Sequence, residues 1–345
     1  MNVLLTSVGR RAYMVKYFKA ALAGDGEVHV CNSDDLTVAF HYADHSVISP
    51  LIYDEAYIPF LLQYCQENRI DVLLSLFDID LLILAKNKAR FEAIGTRVIV
   101  SDESLIEICN DKWKTYLFLK ENGFAVPKTY ISLQRVLLAL ESGELKYPII
   151  VKPRFGCGSI GMSVAEDEMA LLYYFRRNTR VIGKSYLKYE SAAVPVDEQI
   201  LYQECLKGQE YGADIIHDLN GNLQNVILKK KIAMRAGETD IAEVVDVPVI
   251  AEELRRLGEL TRHIGNMDCD VFLVDGKPYV LEMNARFGGG YPFSHMAGCD
   301  LPRAIVQWCT SEEADVAELL QARKRIRACK ELTLTVVDDD TVEKE

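Results

Sequence analysis

The first hundred residues alternate short β-branched runs with helical stretches, and no other feature limits the fold as strongly. Strands are expected over Val3–Ser7, Glu27–Asn32, Ser46–Ser49, Asp71–Phe77 and Arg97–Ser101, and helices over Ala12–Ala23, Ala56–Asn68 and Leu81–Phe91. This alternation implies βαβ units, hence a parallel sheet with helices on both faces. Ligands of such sheets lie beyond the carboxyl ends of the strands. Ser7-Val8-Gly9-Arg10-Arg11 and Phe77-Asp78-Ile79-Asp80 are therefore expected on that rim. The first turn holds one glycine, Gly9, where a dinucleotide fingerprint needs three, which argues against NAD or FAD.

After Asp102 the pattern changes. Ser104–Gly123 reads as one helix, stopped by Val126-Pro127. Tyr147–Lys152 is a β-run that opens into a glycine-rich segment, and Gln199–Glu204 is a further strand. Glu210–Ile216 and Leu223–Met234 form a hairpin about Asn220-Gly221, Glu252–Ile264 is a helix, and Asp270–Asn284 holds a second hairpin. Arg325–Glu345 contains an apolar strand-like run and a charged tail expected to fray. A chain of 345 residues exceeds one ordinary core, so several domains are expected.

A net charge of −12 argues against nucleic acid or an anionic membrane as partner, while leaving room for a local basic pocket. The most apolar stretch, Val72 to Ala85, is interrupted by Asp78 and Asp80, so no membrane span is expected. MNVLLTSVGRR places its arginines after its apolar run, the reverse of a secretory signal. Nine scattered cysteines with no C-x-x-C pair suit reduced thiols in a cytoplasm. Of six histidines only His41 and His45, four apart, show a ligand spacing.

Two motifs carry chemistry. In PIIVKPRFGCGSIG (148–161) a buried strand ends in Lys152 and a loop with three glycines. Glycines let backbone N–H groups turn inward around phosphate oxygens, and the lysine supplies a point charge. No Gly-Lys-Ser/Thr closes the loop, so it is not a Walker A loop. In YVLEMNARFGGG (279–290) alternation puts Glu282, Asn284 and Arg286 on one face, with Leu281 and Met283 on the other. A carboxylate, an amide oxygen and a guanidinium so spaced suit Mg²⁺ plus a phosphoryl oxygen.

Taken in order, these pieces resemble the ATP-grasp superfamily, particularly the large-subunit half of carbamoyl phosphate synthetase and related amino-acid ligases. The resemblance runs from about residue 1 to 310, with NVLLTSVGRR similar to the first strand and DKWKTYLFLKENGFAVPKTY to the entrance of the ATP-binding part. It implies an α/β and α+β protein: a parallel-sheet, Rossmann-like domain (1–103), a lid subdomain with its entrance helix (104–203), and a subdomain bearing the metal site (204–345). It implies ATP contacts from Lys112, Lys152, Gly156, Gly158, Ser159 and Gly161. It also implies contacts from Glu204 and Leu206 to adenine and from Glu210 to ribose. Asp270, Glu282 and Asn284 match the ligands of Mg²⁺, with Mn²⁺ as an alternative ion, and Arg286 the arginine that steadies the transferred phosphate. Lys229 and Lys231 share a strand face, and Lys231 is favoured for the γ-phosphate.

The chain departs from carbamoyl phosphate synthetase in holding one ATP-grasp half and no glutaminase-like Cys-His set. Its MRAGETDIAEVV segment, read as a loop, is more similar to the amino-acid ligase branch, where Arg235 with Glu238 would clamp an amino acid. The resemblance implies a carboxylate–amine ligase that forms an amide through an acyl phosphate. Its partners would be small carboxylates and amines, an amino acid among them, and a second copy in a homodimer. The rivals are a bicarbonate-phosphorylating half enzyme and a non-catalytic nucleotide-binding module. One claim concerns register. A two-residue Asp275-Gly276 turn would carry Asp270 and Glu282 to opposite faces, so a three-residue loop at 275–277 is expected, setting the two carboxylates directly across from each other.

Overall fold

In a computed structural model, which describes residues 1–311 and 314–336, the chain builds three sheets. The charged tail from 337 onward lies outside the described residues. The first sheet contains β1 (Val3–Thr6), β2 (Val28–Asn32), β3 (His45–Ile48), β4 (Val72–Ser75) and β5 (Arg97–Val98), in the order β3-β2-β1-β4-β5. Every pairing in it is parallel. Helices Ala12–Leu22, Tyr57–Glu67 and Asp78–Glu92 fall where the alternation puts them. The order reverses between β1 and β4, so the crevice of this sheet opens beside Ser7–Arg11 and Phe77–Asp80. A buried carboxylate joins these two rims, since Asp80 accepts hydrogen bonds from Thr6, from Ser75 (2.7 Å) and from Tyr57 (2.9 Å).

The expected continuous helix over 104–123 is two helices, Glu103–Asn110 and Lys112–Glu121. Asp111 breaks it, because its carboxylate caps the second helix at the Trp113 and Lys114 N–H groups. The same carboxylate holds Arg154 at 2.7 and 2.8 Å, which ties the new helix to the glycine-rich segment.

The second sheet has four strands, β6 (Thr129–Tyr130), β7 (Ile149–Pro153), β8 (Ser163–Ala165) and β9 (Ile200–Glu204), ordered β6-β9-β7-β8. The helix Glu168–Lys184 packs on it, burying Leu171 and Ile182. The third sheet is antiparallel and ordered β14-β13-β10-β11-β12-β15. Its strands are β10 (Gln209–His217), β11 (Leu223–Arg235), β12 (Glu238–Val245), β13 (Gly265–Val274), β14 (Lys277–Asn284) and β15 (Arg327–Cys329). Helix Pro248–Thr261 covers one face, where Leu254, Leu257, Met267 and Val280 are almost fully buried. Burial of side chains of this size stabilises by about 1.5–3 kcal/mol each. Part of the opposite face packs on the core of the parallel-sheet domain through Ile216, Ile227 and Val244, and the rest is left for the site.

Three expectations are corrected here. The segment read as a loop is a hairpin, with Ala236-Gly237 in the left-handed region and Arg235 opposite Glu238. His41 lies in a short 3₁₀ turn and His45 opens β3, so the two do not share a helix face. The turn joining β13 to β14 is the two-residue one, with Val274 opposite Lys277 and both Asp275 and Gly276 at positive φ. Asp270 nonetheless stands opposite Glu282, because the register slips by one between Asp270 and Val271, leaving Leu281 as an extra residue. A β-bulge does what the longer loop was expected to do.

Candidate active site

The bulge decides what this wall of the cleft presents. Val280 and Met283 are 1% exposed in the core, whereas Leu281 and Glu282 both turn to the cleft. Strict alternation would have put Leu281 with Met283. Instead Leu281 lines an apolar slot with Val126, Leu201 and Val280, closed at its polar end by Lys112 and Lys152. Sequence reasoning missed this slot, since its aliphatic residues look like core.

Charge is concentrated beside the slot. Lys152 Nζ lies 3.2 Å from Glu282 Oε1, and Lys231 Nζ bridges Glu210 at 2.6 Å and Asp270 at 2.7 Å. Burial alone would raise Glu282, but Lys152 and Lys112 hold its carboxyl down at about 2. Asp270 is raised by burial despite the opposing pull of Lys231. Burial likewise works against Lys231, yet Asp270 and Glu210 push its ammonium upward. Lys229, the other lysine on this face, is buried and bonded to Asp214, which also accepts from Ser294 and from Asn266 (3.1 Å). Lys229 is thereby committed to the fold, and Lys231 is the lysine in the cleft.

Arg286 follows β14 at the crevice of the parallel sheet. Its Nε and Nη2 donate to Asp78 Oδ2 at 3.0 and 2.8 Å, and its Nη1 lies 3.6 Å from Asp268. Asn284 stands opposite Asp268 in register. Asp268 was missed as a site residue, although Asp-Cys-Asp at 268–270 puts both carboxylates on one strand face and could have signalled it. Two of the three glycines at 288–290 have a steric reason. A Cβ on Gly288 would sit 2.1 Å from the Asp268 carboxyl carbon, and one on Gly289 would press the Glu238 carboxylate at 3.2 Å.

The opposite wall is the glycine-rich loop. Gly156, Gly158, Ser159 and Gly161 all have positive φ, between 59° and 96°. Lys112 donates to the Gly156 carbonyl, and a Cβ on Gly237 would meet the Gly158 carbonyl at 2.9 Å. The loop thus reaches across to the β11–β12 turn and covers the cleft. Glu204 ends β9, bonded to Lys128 through its N–H and its carboxylate, and Leu206 lies in the link to β10. Arg235 does not join the site. Its guanidinium turns to Asp240, while Glu238 pairs with Lys330 at 3.0 Å, so the expected Arg235–Glu238 clamp is not formed.

Two comparisons concern sequence. Residues 3–99 match the PylC-like N-terminal domain, and residues 109–290 match the ATP-grasp domain. Over 297 residues the chain is 22% identical to the carbamoyl phosphate synthase large chain of Methanosarcina acetivorans, covering 81% of this chain and 26% of that one. The chain therefore spans about a quarter of the length of such curated relatives. In fold it is similar to the biotin carboxylase domain of Hydrogenobacter thermophilus 2-oxoglutarate carboxylase, solved with MgADP, ADP and bicarbonate. That likeness has a TM-score of 0.71 at 14% identity, covering 94% of this chain and 72% of the other. It is also similar to the L-amino acid ligase of Bacillus licheniformis, with a TM-score of 0.63 at 20% identity and coverages of 90% and 74%. With the ATP-grasp domain matched over more than half of its length, this chain belongs to the ATP-grasp family.

Proposed function

We propose that the protein is an ATP-dependent carboxylate–amine ligase that makes an amide through an acyl phosphate and releases ADP and phosphate. One observation carries this reading. Two lysine–carboxylate pairs, Lys152–Glu282 and Lys231–Asp270, face one cleft beside an apolar slot sized by Leu281. In this reading 1–103 is the pre-ATP-grasp domain, 104–203 the lid subdomain and 204–345 the metal-bearing subdomain.

The slot takes adenine, with Glu204 and Leu206 at its hinge and Glu210 toward ribose. Lys112, Lys152 and the 156–161 loop hold the phosphates. Asp270, Glu282 and Asn284 are oxygen donors, the set Mg²⁺ prefers, and Glu282 is ionised at neutral pH. When bound, Mg²⁺ would neutralise phosphate charge. Lys231 then faces the γ-phosphoryl group, and Arg286, fixed by Asp78, steadies it during transfer to the substrate carboxylate. An amine attacks the acyl phosphate and phosphate leaves, so no protein nucleophile is needed. The substrates bind where the two walls meet the parallel sheet. There Arg11, anchored to the Leu76 and Phe287 carbonyls, suits a carboxylate, while Asp268, beside Gly288, suits an ammonium.

The test is a phosphate-release screen that pairs amino acids and small carboxylates with Mg·ATP. Amine-dependent release with an amide product is expected. The synthase and biotin carboxylase likenesses support a second reading, phosphorylation of bicarbonate. Bicarbonate-dependent ATP hydrolysis without any amine would favour it, and no hydrolysis under any pairing would favour a binding module.

A further inference from the structure

We infer that Glu27, His29 and His45 form a binding site for a divalent transition-metal ion such as Zn²⁺, separate from the nucleotide cleft. His29 is the second residue of β2 and His45 the first of β3, directly opposed in a parallel pair. Their rings are stacked, with centroids 4.5 Å apart and planes inclined by 24°. Glu27, just before β2, puts Oε2 3.3 Å from His45 Nε2 and 3.7 Å from His29 Nε2. One donor atom from each residue lies within 4.8 Å of the others. Donors about 2.0–2.1 Å from a tetrahedral ion stand roughly 3.3–3.4 Å apart, so a small turn of the half-exposed His45 closes the set.

A second observation points to a ligand. His29 is 2% exposed, and its Nε2 has no hydrogen-bond partner although it lies 3.7 Å from Glu27 Oε2. Buried ring nitrogens are normally satisfied. Its other nitrogen, Nδ1, lies 2.9 Å from the Tyr64 hydroxyl, the outer contact that fixes ring and tautomer in histidine–metal sites. Two imidazoles and one carboxylate are a donor set for zinc-like ions rather than Mg²⁺. The cluster sits at the amino ends of β2 and β3, away from the carboxyl-end crevice, so the ion acts as a clasp on the edge strand and not in the chemistry.

The test uses the full-length chain without a histidine tag, stripped with a chelator and saturated with Mg·ADP. Zn²⁺ is titrated against a chromophoric chelator. One site per chain is expected, weakened tenfold or more in His45→Ala and in Glu27→Gln, and weakened less in Tyr64→Phe. Co²⁺ in the site should show visible tetrahedral bands without a thiolate charge-transfer band, and Zn²⁺ should raise the Tm of the wild type but not of His45→Ala. His45 and Glu27 are exposed, so these variants keep the fold. Equal Zn²⁺ affinity in wild type, His45→Ala and Glu27→Gln would overturn the site, as would wild-type binding no tighter than millimolar.

Discussion

The two walls of the cleft hold their groups in opposite ways. The β13–β14 wall sets charges on strands whose other face is core, with Met283 and Val280 buried directly behind Glu282 and Leu281. The 156–161 wall has little core behind it and relies on left-handed backbone conformations, three of the four of them at glycine. The first wall is preorganised, so altering it should change the rate of chemistry. The second has to be ordered, so altering it should change how tightly nucleotide is held.

The sharpest test of this contrast is Lys152→Met. Loss of one transition-state charge contact typically lowers kcat about 10²–10³-fold, and the fold should survive because neighbouring lysines still face Glu282. Steady-state kinetics with circular dichroism would check it, and near-normal turnover would mean that the Lys152–Glu282 contact, where β7 meets the strand wall, does not carry the chemistry.

The same variant should change the response to acid. Glu282 has a folded pKa near 2, below its usual 4.5, so its contribution to stability is full above about pH 4.5 and is lost as pH falls toward 2. Without Lys152, burial of Glu282 is less opposed and its folded pKa rises. Urea unfolding between pH 5 and 2.5 should then give a shallower fall in stability than in the wild type. Parallel curves would show that Lys152 does not set the Glu282 charge.

Gly161→Ala tests the other wall. Its φ is +72° and a Cβ would sit 2.8 Å from the Pro153 ring, so strain of about 1–2 kcal/mol is expected. KM for ATP should rise several-fold while kcat stays within about twofold; a fall in kcat alone would place the loop among the preorganised parts. The mildest perturbation is none at all. Hydrogen exchange over 154–162 should slow on adding Mg·ATP, whereas the 277–284 strand should exchange slowly throughout. Equal protection of the loop with and without nucleotide would remove the distinction.

The parallel half was legible because its strands and helices each bury a regular stripe, and the period alone reveals it. The glycine loop was legible as a loop, because three glycines in a short run interrupt both strand and helix. Residues on the strand wall were found by alternation, but their geometry was not, since a bulge at Leu281 leaves no mark in residue type. The Asp111 cap was hidden for a related reason: aspartate inside a helical pattern reads as exposed polarity until Arg154 is known to sit beside it. Arg235 and Glu238 were assigned to one clamp on the likeness of their segment to the amino-acid ligases, yet each pairs with another charge, Asp240 and Lys330.

The extra residue in β14 has a consequence for how such a chain can drift. Between the Asp275-Gly276 turn and Glu282 the register of pairing, not the kind of residue, decides which side of the sheet the carboxylate emerges on. Leu281 can be exchanged for another aliphatic residue at small loss, as volume-conserving swaps usually are. Deleting Leu281 would remove the bulge and leave a regular two-residue hairpin with Glu282 still directly across from Asp270, at the loss of the side chain that lines the slot. The hairpin can therefore tolerate change of residue type, and even loss of its bulge, whereas one added residue would carry Glu282 across from Cys269 and into the hydrophobic layer.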